Sequence, residues 1–308
     1  MNTFYPIRCL LLSAGLLFCL EAKACDACGC VSPSAMGGLL PVMRSSVLGV
    51  RVNFRQFNHP LNPPNMNGES QVIQDRIIQT AVWLRSFPLP KWQLYVEMPY
   101  SIQQRQETMQ NIQVNGPGDA QVAVSYLAVN TPDSLHGRIK TAVLIGLQTS
   151  LPTGHYQLRD VQGKLLPLGL QSGTGSWGIG PHVNASIRHR VWGLNLDLRY
   201  SIFSKNERGV QPGGAGTGSI RAFAFLKGKR ATVLPSVGIL GEWLAEERLY
   251  NAINQDSGGQ RMSLQTGVEL FWGKLFAAGH LQWAVWASQP QTQPQLLGLA
   301  SVSLGYVW

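Results

Sequence analysis

Apolar and polar residues alternate with a period of two along most of this chain. In 190–204, Trp192, Leu194, Leu196, Leu198, Tyr200 and Ile202 alternate with Gly193, Asn195, Asp197, Arg199 and Ser201. In 91–104, Trp92, Leu94, Val96, Met98, Tyr100 and Ile102 alternate with Gln93, Glu97, Ser101 and Gln103. In 259–273, Met262, Leu264, Val268, Leu270 and Trp272 alternate with Arg261, Ser263, Gln265 and Glu269. Such alternation gives a strand two chemically different faces. The C-terminal stretch does the same, with Leu296, Gly298, Ala300, Val302, Leu304, Tyr306 and Trp308 on one parity and Ser301, Ser303 and Gly305 on the other. The apolar series repeatedly begin or end at Trp or Tyr. An apolar face rimmed by aromatics suits a strand whose outside meets lipid.

Twelve strands are predicted, over 46–58, 71–85, 91–104, 118–130, 137–151, 175–188, 190–204, 217–228, 230–245, 259–273, 274–287 and 296–308. Their lengths, roughly 11 to 15 residues, suit tilted spanning strands. The connections alternate long and short. Long loops run over 59–70, 105–117, 152–174, 205–216, 246–258 and 288–295, and compact links fall between them, such as Gly228-Lys229-Arg230 and Trp272-Gly273-Lys274. Strands cross a bilayer only as a closed barrel, because an open edge leaves backbone groups unpaired in hydrocarbon. The fold class expected is therefore all-β: a transmembrane, antiparallel, up-and-down barrel of about twelve strands. A soluble sandwich would also alternate, but it needs neither alternating loop lengths nor aromatic ends on its apolar face. An even strand count puts both termini on one side, expected to be the periplasm of a Gram-negative cell.

The first 24 residues read as a secretory signal, with Arg8, the apolar run Leu10–Leu20 and the small-x-small site Ala22-Lys23-Ala24. That run is too short for a transmembrane helix. The organisation expected is a signal peptide over 1–24, a cysteine-containing periplasmic leader over 25–45 and the barrel over 46–308. Loss of the signal removes two cations and one anion, taking the formal charge from +9 to +8. The basic residues are scattered about one per strand and form no dense run, which speaks against a nucleic-acid surface. The 33 glycines are ordinary for a barrel.

Succession of short motifs adds a resemblance. Gly116-Pro117-Gly118-Asp119 precedes a strand, Leu151-Pro152-Thr153-Gly154 closes the next, and Gly173-Thr174-Gly175-Ser176 opens the one after. In this the chain resembles outer-membrane barrel transporters of the phenol-degradation-pathway type. Its leader, Cys25-Asp26-Ala27-Cys28-Gly29-Cys30 followed by Met36-Gly37-Gly38-Leu39-Leu40-Pro41, is similar to that of a transporter group of Bacteroidetes-type bacteria. The resemblance implies an outer-membrane channel or transporter.

Transport chemistry would lie on the inward parity. There Arg51, Arg55, Lys140, Arg188, Arg199 and Arg261 stand against Glu97, Asp119, Asp197, Glu242 and Glu269. Rings of charge set selectivity in a narrow pore, and a basic excess favours anions. The same charges could instead pair across a filled lumen, leaving a non-conducting barrel that acts through its outer loops. A strand count near twelve does not decide between them.

Only Cys25, Cys28 and Cys30 remain after signal removal. Closely spaced thiolates suit Cu(I) or Zn; a periplasmic disulfide or a lipid anchor on Cys25 are the alternatives. No enzyme is expected, since Gly-x-Ser-x-Gly and His-Glu-x-x-His are both absent and the histidines do not gather. The partners expected are outer-membrane lipid, a small solute or metal ion, and the barrel-assembly machinery through the C-terminal strand.

Overall fold

A computed structural model describes residues 45–60, 72–106, 111–131, 139–159, 163, 165–166, 170–290 and 294–308. The strands are β1 Val47–Pro60, β2 Val72–Leu89, β3 Trp92–Gln106, β4 Asn111–Pro117, β5 Ala120–Asn130, β6 Ile139–Leu151, β7 Gly178–His189, β8 Trp192–Phe203 and β9 Val210–Gln211. They continue with β10 Ala215–Ala224, β11 Leu226–Lys227, β12 Ala231–Leu244, β13 Arg248–Leu249, β14 Ala252–Ile253, β15 Gly259–Trp272, β16 Leu275–Ser288 and β17 Gln295–Val307. One antiparallel sheet of fourteen strands closes on itself through β1–β17 and β10–β12 pairing. Within it β4 shares the edge of β3 with β5, and β11 shares the edge of β12 with β10. Neither adds to the circumference, so the barrel has twelve staves.

Each of the twelve predicted spans overlaps one stave. Two details differ. The stretch 105–117, expected as a loop, carries β4, which extends the β3 edge beyond the break at Pro117-Gly118-Asp119. In β17 the register against β1 slips beside Gln56 and Phe57, so that Leu297 bulges out. A bulge reverses the parity on one side of it. Leu296 is therefore buried on the inner face with Phe57, whereas Val302, Leu304, Tyr306 and Trp308 are exposed as expected.

The outer face is apolar. Val50, Val52, Phe54, Leu198, Ile202 and Leu304 are among its exposed side chains. An aromatic rim marks each edge of this belt. Near the tight turns stand Trp92, Trp192, Trp272, Tyr306 and Trp308, and near the long loops Tyr100, Trp177, Tyr200 and Trp286, all exposed. Water would make such a belt costly at about 25 cal/mol per Å², and hydrocarbon removes the cost. Exposed Lys91, Arg190, Lys229, Arg230 and Lys274 sit in the turns just beyond the aromatic rim. Lys91 reaches over Tyr126 (5.9 Å) and Lys274 over Tyr306 (5.7 Å).

Turns are set locally. His189–Trp192 turns through Arg190 at φ 55°, and Trp272–Leu275 through Gly273 at φ 57°, the left-handed conformation that two-residue hairpins require. At the opposite end, β9, β13 and β14 form a separate three-stranded sheet from the loops that follow β8 and β12. Residues 25–44, including the leader cysteines, lie outside the described residues.

Candidate functional site

Inside the barrel, chemistry changes with height. At the turn end the lumen is filled by rings. Trp83 and Tyr95 are each 1% exposed. Trp83 lies 6.4 Å from Tyr95 and 5.8 Å, edge-on, from Phe276, and Phe271 packs 5.0 Å from Phe276. Phe271 also meets a second cluster of Phe223, Leu234 and Phe225. Leu127, Ala142 and Leu144 continue the layer on β5 and β6, and Arg188 of β7 covers the Phe225 ring at 4.1 Å. We call this the aromatic layer.

Glycines make the layer possible. Gly49 stands directly opposite Trp83, Gly193 opposite Phe223, and Gly305 opposite Phe276. A Cβ on Gly49 would fall 2.8 Å from the Trp83 ring, and one on Gly193 would fall 2.3 Å from Phe223. Polar rings use the same device higher up. His182 lies over Gly146 and His280 over Gly267, each a direct cross-strand pair. Inward glycine gives each neighbouring large side chain the space to lie flat across the wall.

Ion pairs flank and overlie the layer. Arg51 bonds Glu97 at 3.1 Å, donates from Nε to Ser303 (3.2 Å) and stands 5.6 Å over Trp83. Tyr95 donates to the same Glu97 carboxylate. Arg199 pairs with Asp197 (2.8 Å), which also accepts from Asn184 (2.8 Å). Arg261 pairs with Glu242 at 2.6 Å. Nearest the loops, Arg105 grips Asp75 with two bonds of 2.8 Å, the planar fork geometry that makes such pairs strong. Glu269 is fully buried.

Most residues expected on the inward face are there. Arg51, Arg55, Glu97, Asp197, Arg199, Glu242, Arg261 and Glu269 are buried within the barrel. Lys140 and Arg188, directly paired across β6 and β7, share the inward parity and are half-buried. Asp119 is different. It lies between β4 and β5, and its carboxylate accepts from Gly154 N (2.9 Å), Thr174 N (2.7 Å) and Thr174 Oγ1 (2.6 Å). The three motifs that carried the family resemblance thus meet at one carboxylate. Gly154 and Gly173 touch there, and a Cβ on either would fall within 2.7 Å of the other's Cα.

From that junction the segment after β6 folds over the mouth. Gln103 donates to Gln171 O (3.2 Å), and Leu166 and Leu170 pack with Val114. Arg208 donates to Tyr156 O (3.1 Å) and Asn206 to Thr174 O (2.8 Å), tying this segment to the one after β8. Tyr156 donates to Glu207 (2.7 Å), a bond that lifts its phenol above the ordinary tyrosine range.

Sequence reasoning missed Arg85, Arg221 and the Arg105–Asp75 pair, all inward. Arg85 shares its parity with Ala81 and Trp83, so the inner face there looks apolar. Arg221 lies in a span where small residues blur both faces. On the inward faces of the described strands, nine cations (Arg51, Arg55, Arg85, Arg105, Lys140, Arg188, Arg199, Arg221 and Arg261) face five anions (Asp75, Glu97, Asp197, Glu242 and Glu269). Mid-lumen, Ser125 Oγ and His182 Nε2 lie 2.9 Å apart, and among the described residues His182 Nδ1 has no acceptor.

Next to the aromatic layer, on its loop side, is a cavity of about 30 Å³ of mixed lining: Asp197, Arg199, Ser219, Arg221, His280 and Gln282 border it together with Leu240 and Leu299. A water needs roughly 10–15 Å³ of such space.

Architecture and lumen define a transmembrane β-barrel of the outer-membrane class. No protein-family model matches this chain, and no curated protein matches it. Among solved structures, it is similar to an outer membrane channel from Pseudomonas putida F1, at 12% identity and a TM-score of 0.65, over 90% of this chain and 100% of that one. The β domain of the Bordetella autotransporter BrkA matches at 11% identity and a TM-score of 0.49, over 86% and 100%. A Pseudomonas aeruginosa FadL homologue matches at 10% and 0.33, over 94% and 97%. The likeness to the first is one of fold: a closed antiparallel barrel of twelve strands.

Proposed function

We propose that this chain is an outer-membrane channel for a small solute, held shut at its turn end by the aromatic layer in the conformation described. The observation that carries the reading is the lumen itself: charged and hydrogen-bonding side chains line it from the loop end down to a cavity resting on that layer. The cationic surplus on the lining favours anions. Turns and both termini face the periplasm in this reading, and the long loops face outward, as the alternation of loop lengths suggests. The C-terminal strand, ending in Tyr306 and Trp308, is the segment offered to the assembly machinery.

A signal over 1–24 and a leader over 25–45 belong to the same proposal. Cys25, Cys28 and Cys30 are read as soft-metal ligands for Cu(I) or Zn that would link the channel to metal handling. Titration of the mature full chain with Cu(I) and Zn should show binding that is lost on Cys→Ser substitution of all three. Equal binding by both proteins contradicts the metal reading.

One feature favours a second reading, a non-conducting barrel acting through its loops: the loop end is woven together by the Asp119 junction and the β9–β13–β14 sheet. Planar-bilayer recordings separate the two. The channel reading predicts small or infrequent openings from the natural protein and a several-fold larger conductance from Trp83→Ala/Phe276→Ala. Electrical silence from both proteins favours the second reading.

A further inference from the structure

We propose that the cavity above the aromatic layer is a binding site for a small carboxylate, with Arg221 as its anchor. Transport of such an anion presupposes the channel reading; its binding does not.

Arg221 lies on β10, inward and 4% exposed. Its Nη2 donates to Asn195 Oδ1 at 3.4 Å, near the outer limit of a hydrogen bond, and its Nε has no acceptor. A guanidinium carries five donors in a rigid fork. Leaving a buried donor unmatched is costly, and among the described residues none accepts from Nε, so that edge of the fork is open to an acceptor from a ligand.

That acceptor is pointed to by the surroundings. Two arginines and one aspartate border the cavity. Asp197 is already engaged by Arg199 and Asn184, and the buried Glu269 acts on the Arg221 charge from outside the cavity lining, but no carboxylate among the described residues accepts a hydrogen bond from Arg221 Nε. Gly238, directly opposite Arg221, clears the way for the side chain: a Cβ there would fall 2.6 Å from Arg221 Cγ. Ser219 and Gln282 bring further polar groups, and His280 closes one side. A planar carboxylate matches the guanidinium fork in two parallel bonds. The cavity volume, a few waters' worth, suits a carboxylate group and excludes a bulky ring from the pocket itself. A cation would meet like charge.

Location gives the site a role. Phe223 is the next inward residue on β10, two positions toward the turns. An anion held by Arg221 therefore rests against the aromatic layer, at the last polar station before the closed end.

Acetate is the probe. Its binding to the purified full chain in detergent micelles can be followed by saturation-transfer NMR, with choline as the cationic control. Natural protein and Arg230→Gln, which removes an exposed turn charge, should bind acetate equally. Arg221→Gln should weaken binding at least about tenfold, equivalent to about 1.4 kcal/mol. Ser219→Val, which keeps a strand-forming side chain and fills polar space with methyl groups, should weaken it too, and it carries the decision if Arg221→Gln does not fold. Absence of acetate binding by the natural protein, or undiminished binding by the folded variants, overturns the proposal. Acetate binding without conductance would remove the channel and keep the site. Conductance without acetate binding would do the reverse.

Discussion

Cross-strand pairing of an inward glycine with a large ring recurs around this lumen: Gly49 with Trp83, Gly193 with Phe223, Gly146 with His182, Gly267 with His280. Each pair trades a side chain on one strand for a flat-lying ring on the next, which lets large rings fit inside a narrow cylinder. The glycines are therefore steric requirements. Gly193→Val should drive Phe223 out of the aromatic layer, since a Cβ there would sit 2.3 Å from the ring. Overpacking of this kind costs about 1–3 kcal/mol. Heat-modifiable gel mobility should show the variant unfolding at a lower temperature. A control with open space on the outer face, Gly279→Val, should leave the transition unchanged. No shift for Gly193→Val would mean the layer is loose.

At the scale of elements, the strands hold a regular register and the irregular segments are held by side chains. Asp119 is the clearest case, with three hydrogen bonds binding the segments after β4, β6 and before β7 into one junction. Asp119→Ala leaves the Gly154 and Thr174 donors unmatched. The segment around 154–174 should then become sensitive to protease on intact cells or proteoliposomes while the barrel stays folded. Resistance equal to that of the natural protein would show that the neighbouring bonds suffice. The role of Asp119 was not legible beforehand, because its parity matched the inward series and only the folded chain shows three distant motifs meeting on it. Staves were legible, since a period of two repeated over many segments survives small errors at each. The Leu297 bulge and the strand β4 were not, because a bulge changes one parity locally and β4 depends on β3 for its partner.

For the molecule as a whole, the outside–inside division was readable where the inner face is polar, as along β8 and β15. It was not readable at the turn end, where the inside is as apolar as the outside. Trp83, Tyr95, Phe223 and Phe276 face inward there, against the rule that apolar means lipid. The aromatic layer and its companions Arg85 and Arg221 emerged only from the closed cylinder. The central claim is that the apolar face of the wall touches acyl chains and the polar face lines a lumen. A nitroxide scan of β8 in liposomes, from Leu194 to Ile202 in a chain with Cys25, Cys28 and Cys30 replaced by Ser, tests it most directly. Labels at 194, 196, 198, 200 and 202 should respond strongly to oxygen, which concentrates in hydrocarbon, and labels at the intervening positions weakly. Equal or reversed response along the strand would contradict the account.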